Sequence, residues 1–232
     1  MQRIEFEPAF VIHSRPYRDT SLIATFFTEN HGIVSGVVRG QRQTSRKKSK
    51  TPLIPFTPLL ITLQGKASLK LVSHFEWQQN TIVLQGRTLY SGMYVNELIV
   101  RLLPEWDSHP AVFSDYQWSL NALDQGADVE VILRQFESRL LTDLGVNISW
   151  QQQANSDKPI CENEMYRLDV ESGFVRVATG TASEAFEGKL ILQVAAGEWH
   201  SDSVKRLAKT VHRQLLHPLL GSKPLQSRQL FT

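Results

Sequence analysis

Hydrophobic positions in the first 80 residues come in short runs separated by polar turns, the pattern of β-strands rather than helices. Ala9-Phe10-Val11-Ile12-His13 is an apolar run closed by Ser14-Arg15-Pro16. The run Thr20-Ser21-Leu22-Ile23-Ala24-Thr25-Phe26-Phe27-Thr28 is β-branched and aromatic and stops at the turn signal Glu29-Asn30-His31-Gly32. Ile33 to Val38 follows at hairpin distance, and Leu59–Leu63 and Leu69–Phe75 supply a fourth and fifth strand. Gly36, inside the third strand, is expected to mark a bulge or sharp bend. Five short strands with one long loop suit a small closed barrel of the OB type.

Beyond residue 83 the period lengthens to that of a helix. Leu89, Met93, Val95, Leu98, Ile99 and Leu102 share one face, ended by Pro104, and Val112, Phe113, Tyr116, Leu120 and Leu123 share another. Asp128 is placed to cap a third helix carrying Val129, Ile132, Leu133, Phe136, Leu140 and Leu144, with Gly145 just beyond it. Tyr166–Val170 and Phe174–Val177 read as a hairpin, two helices are expected near 184–195 and 202–216, and Pro218 to Thr232 reads as a basic tail of little periodicity. The fold class is therefore α+β: an N-terminal five-stranded OB-type β-barrel, residues 1–80, then an α-helical domain, residues 81–232, with a small β-hairpin insertion near 147–182.

Charge changes this picture by dividing it. Residues 1–80 hold 11 Lys/Arg against 5 Asp/Glu, residues 81–200 hold 8 against 17, and residues 201–232 hold 6 against 1. The net charge of +2 thus conceals two basic ends and an acidic middle, which points to different partners for different surfaces. The acids in Met1-Gln2-Arg3-Ile4-Glu5-Phe6-Glu7 do not fit a signal peptide, and no apolar run is long enough for a membrane span. The single cysteine, Cys161, excludes an internal disulfide and a cysteine-rich zinc cluster. A cytoplasmic protein with no membrane partner is expected.

The strongest local signal is the stretch from Arg39 to Lys50, in which Arg39, Arg42, Arg46, Lys47, Lys48 and Lys50 put six cations in twelve residues without an acid. Such a loop attracts phosphates by counterion release, although charge runs also serve merely to solvate a surface. Arg15 and Arg18, flanking Pro16-Tyr17, extend the positive surface; Tyr17 is either a stacking ring or a core residue. Lys205, Arg206, Lys209 and Arg213 form a second basic cluster on one helical face, open to a DNA-contact or a solvated-face reading. No glycine-rich phosphate loop, nucleophile elbow or acid–histidine grouping is present, so neither an enzyme nor a cofactor is expected. Trp106, Trp118, Trp150 and Trp199 sit in apolar patterns and are expected in the core.

These residues carry a resemblance. The segments Ala9 to Ser21, Gly40 to Lys50, Pro55-Phe56-Thr57-Pro58-Leu59, Leu89 to Leu98, Leu133-Arg134-Gln135-Phe136-Glu137 and Pro218 to Arg228 follow in order the pattern of the RecO family, bacterial recombination mediators. The resemblance implies binding of single- and double-stranded DNA and annealing of complementary strands. It implies work with RecR to load RecA, and hence indirect contact with RecA, on DNA coated by single-stranded-DNA-binding protein (SSB). It also implies docking of the acidic, Phe-ending SSB tail on the helical domain, and a nucleoid-associated place in the cytoplasm. Many relatives carry a four-cysteine zinc element near 150–180; with Cys161 alone, this chain is not expected to bind the metal.

The combined reading is a non-catalytic, DNA-binding and strand-annealing mediator of RecF-pathway repair. The alternative is an OB-fold RNA-binding factor in translation or transcription. The SSB tail is expected on the third helix at Arg134, Leu133 and Phe136, against the alternative of a wholly buried helix in which Arg134 pairs with Glu137.

Overall fold

The computed structural model describes residues 3–40, 53–78, 82–178 and 184–231. They form strands β1 (Arg3–Tyr17), β2 (Ser21–Thr28), β3 (Gly32–Val38), β4 (Pro58–Gln64) and β5 (Lys70–Trp77), then helices α1 (Gly86–Leu102), α2 (Pro110–Asp124) and α3 (Val129–Asp143). A hairpin of β6 (Met165–Asp169) and β7 (Gly173–Val177) follows, with a two-residue strand β8 (Phe186–Glu187). Helices α4 (Gly188–Ala195) and α5 (Asp202–Leu220) and a 3-10 helix, Gln226–Phe231, complete the chain. The fold is α+β.

The five N-terminal strands pair in the order β1-β2-β3-β5-β4, and β4 returns to β1, so the sheet closes as an OB-type barrel. Every pairing is antiparallel except β3 with β5, which is parallel. The fifteen residues of β1 serve both neighbours, and its register shifts at Ile4/Glu7 and Val11/His13 bend it around the barrel. Gly36 contributes differently from the expected bend: a Cβ there would lie 2.7 Å from a Val72 methyl carbon, so the missing side chain lets β3 approach β5. Ala9, Val11, Ala24, Phe26, Val34, Val38, Leu59, Ile61, Leu63 and Val72 fill the barrel.

The chain separates into two compact units, Met1–Ala127 with Leu225–Thr232, and Asp128–Pro224. In the first, α1 and α2 belong with the barrel. Phe10 and Phe27, paired across β1 and β2, meet the Phe113 and Tyr116 rings of α2 at centroid distances of 5.1–5.8 Å. The buried Tyr116 hydroxyl donates to Asn96 Oδ1 at 2.7 Å, and Asn96 Nδ2 donates to the Ile12 carbonyl at 3.2 Å. Burial holds the Tyr116 hydroxyl well above its ordinary pKa, so it stays a neutral donor. The strand-to-helix change between Trp77 and Gly86 is thus an edge of secondary structure, while the compact units divide at 127/128.

In the second unit, α3 begins where the sequence places it. Asp128 Oδ1 accepts hydrogen bonds from the Glu130 and Val131 amides, and Asp128 Oδ2 accepts one from Lys205 Nζ of α5 at 2.7 Å. The Lys205 bond and the two amides outweigh partial burial and lower the Asp128 pKa.

Three expectations need correction. Helix α5 runs past 216 to Leu220 with Pro218 inside it, and the buried Leu215 and Leu216 anchor its last turns. The stretch after Pro218 is not featureless, since Gln226–Phe231 forms a 3-10 helix. None of the four tryptophans expected in the core is fully buried: Trp118 is 40% exposed on α2, while Trp106, under the Lys70 ammonium, Trp150 and Trp199 are half-buried.

Candidate nucleic-acid interface

The register of β1, β2 and β3 decides which side chains share the barrel's outer face. Ala24 and Phe26 point inward with Leu22, so Ile23 and Thr25 point outward. Ile23 stands opposite Arg15 on β1 and Val37 on β3, and Val37 stands opposite Leu71 on β5. Arg15, Ile23, Val37 and Leu71 therefore form one row across four strands, with Arg15 exposed and the three aliphatic side chains half-buried. Thr25, with His13 and Ser35 as its partners, makes the next row. Where Phe10 and Phe27 lie, α2 covers this face; the row at Arg15 lies toward the other end of the strands.

At that end β1 turns into β2. Tyr17 pairs with Ser21 in the last step of the hairpin, and Arg18 follows in the left-handed region with φ +51°. The Arg18 guanidinium sits 5.2 Å from the centre of the half-buried Tyr17 ring, a cation–π arrangement. Val38 pairs with Leu22 at the same end, so the exposed Arg39 leaves β3 beside this turn. Arg15, Arg18 and Arg39, picked out in sequence for charge alone, thus lie at one end of the barrel, with Asp19 the acid of the turn. Arg42, Arg46, Lys47, Lys48 and Lys50 lie outside the described residues. The outward row of Ile23, Val37 and Leu71 is absent from the sequence reading; only the pairing register identifies it.

The second basic cluster divides in the structure. Lys205 is held by Asp128, while Arg206, Lys209 and Arg213 are exposed. Their spacing of three and four places them on one face of α5. On α3, Leu133, Arg134 and Phe136 are all buried, at 8%, 5% and 0% exposure. Arg134 Nη2 donates to Glu137 Oε1 at 2.6 Å, and Glu137 Oε2 lies 3.1 Å from His212 Nδ1 of α5. The i, i+3 pair named as the alternative is the arrangement present.

The hairpin segment has its own polar frame. The Cys161 amide donates to the Tyr166 hydroxyl at 2.8 Å, and Arg176 makes two bonds to Glu164 at 2.9 and 2.6 Å. Cys161 is exposed, and among the described residues no group of three His, Cys, Asp or Glu side chains is arranged to hold a metal ion. No described helix is long and apolar enough to cross a membrane.

The sequence model described as Recombination protein O N terminal matches residues 1–81, and that described as Recombination protein O C terminal matches residues 84–229. The chain belongs to the RecO family. It is 41% identical over 231 residues to the DNA repair protein RecO of Cellvibrio japonicus, covering 99% of this chain and 98% of the relative. The RecO of Marinobacter nauticus is 38% identical over 233 residues (99% and 94%), and that of a Haemophilus influenzae strain 39% over 228 residues (98% and 96%). This is therefore a RecO-family DNA repair protein. The boundary between the two RecO matches falls where strands give way to helices, ahead of α1 and α2, which pack on the barrel.

Proposed function

We propose that this RecO-family chain binds DNA through one end of its barrel, anneals complementary strands without catalysing a covalent step, and mediates recombinational repair. The observation that carries the reading is the gathering of exposed Arg15, Arg18 and Arg39 at the β1–β2 turn, from which the sequence runs into five further cations. Basic side chains between two phosphate backbones screen their repulsion, which favours pairing without a covalent step. Single- and double-stranded DNA are the nucleic-acid partners in this reading. RecR, SSB through its acidic tail, and RecA indirectly are the protein partners, with α3 as the proposed site of the tail.

The test uses complementary single strands coated with SSB, whose pairing is followed by fluorescence energy transfer. The chain is expected to accelerate pairing, with no nucleotide present. No acceleration on coated or bare strands would remove the annealing reading. Acceleration with RNA but not DNA would favour an RNA-binding OB factor.

A further inference from the structure

We infer that Tyr17 is a base-stacking platform held ready by Arg18, and that it makes this end of the barrel select unpaired over paired nucleic acid. The inference rests on the nucleic-acid reading above and names the contact that gives it selectivity. Tyr17 is the final residue of β1, and its ring is half-buried. Strand register turns Tyr17 outward with Arg15, toward the face that carries Ile23 and Val37. The Arg18 guanidinium lies 5.2 Å from the ring's centre. Arg18 adopts φ +51°, a conformation that non-glycine residues rarely take. The hairpin thus keeps a planar cation beside an aromatic ring at the mouth of a surface whose edges are Arg15 and Arg39.

A nucleobase is a planar π-system of the same kind, accompanied by a phosphate. Stacked on Tyr17, it brings that phosphate within reach of the cations at the turn, and the half-buried Ile23, Val37 and Leu71 continue an apolar floor for the next base. Charge complementarity fixes the occupant as a polyanion: three arginines stand against Asp19. The ring narrows it to a single strand, because bases in a duplex already spend their faces on each other.

Binding of full-length protein to three probes of equal length tests this: an oligo(dT) strand, an abasic strand with the same phosphates, and a duplex. Tyr17→Ala is expected to weaken oligo(dT) binding on the order of 10- to 100-fold, one base's worth of stacking, with abasic and duplex affinities unchanged. Tyr17→Phe, which keeps the ring, should retain oligo(dT) affinity and controls for folding. Equal loss on all three probes, or no loss on oligo(dT), overturns the platform while leaving charge-driven binding standing. Failure of the wild-type chain to bind any probe overturns the nucleic-acid reading itself, and the platform with it.

Discussion

Arg134 shows how far a single residue can be read from its neighbours in sequence. Its spacing from Glu137 permits an ion pair, and its place beside Leu133 and Phe136 permits a carboxylate-binding rim. Periodicity weighs these equally, because it does not see His212, which arrives from α5 75 residues later to share the Glu137 carboxylate. The two roles remain compatible in chemistry: Arg134 Nε is buried without a hydrogen-bond partner among the described residues. Removing Arg134 leaves a buried carboxylate facing His212, so Arg134→Ala is expected to destabilise the fold by about 3–5 kcal/mol in denaturant unfolding. If the guanidinium also receives the SSB tail, the double variant Arg134→Met with Glu137→Leu recovers much of that stability and still binds tail peptide more weakly by roughly 1.5–3 kcal/mol in calorimetry. Full tail affinity in the folded double variant would leave Arg134 a purely structural residue.

At the scale of elements, the strands and helices were legible wherever a local period or cap determines them, as with Asp128 at the start of α3. The C-terminal 3-10 helix was not, because its cause lies far away. Glu97 on α1 accepts the Gln226 and Ser227 amides, each at 2.8 Å, and the Ser227 hydroxyl at 2.6 Å, while Leu225 is buried. Partial burial pushes the Glu97 pKa up, but the hydrogen bonds from Ser227 and Gln226, with the charge of Arg101, bring it below the ordinary glutamate value. A carboxylate whose pKa falls on folding contributes stability that is full above its unfolded pKa and lost as pH drops through the folded one. Glu97→Gln should therefore melt a few degrees below wild type at neutral pH, as expected for a loss on the order of 1 kcal/mol. That gap should close as the solution is acidified through the lowered Glu97 pKa. A gap that persists unchanged in acid would mean that the carboxylate's charge does not hold the tail.

For the whole molecule, the basic ends and acidic middle were plain in the sequence, and so was the N-terminal location of the candidate site. The outward row of Ile23, Val37 and Leu71 was not, because pairing register is a property of the closed sheet. Charge and surface shape give separable signatures in binding. Each phosphate neutralised on a single strand adds about 0.7 to the slope of log affinity against log salt. Replacing Arg42, Arg46, Lys47 and Lys48 with Ala should weaken binding to every sequence alike and flatten that slope by up to about 3, if all four meet phosphates. The same titration on Arg206→Ala with Lys209→Ala and Arg213→Ala asks whether the exposed face of α5 is a second phosphate contact, for which the slope should flatten by about 2. An unchanged slope in the first variant would make Arg42, Arg46, Lys47 and Lys48 merely solvating charges and move the phosphate contacts to other cations, Arg15, Arg18 and Arg39 among them. An unchanged slope in the second would leave α5 out of the complex, and its cations would then serve only to offset the acids of the chain's middle.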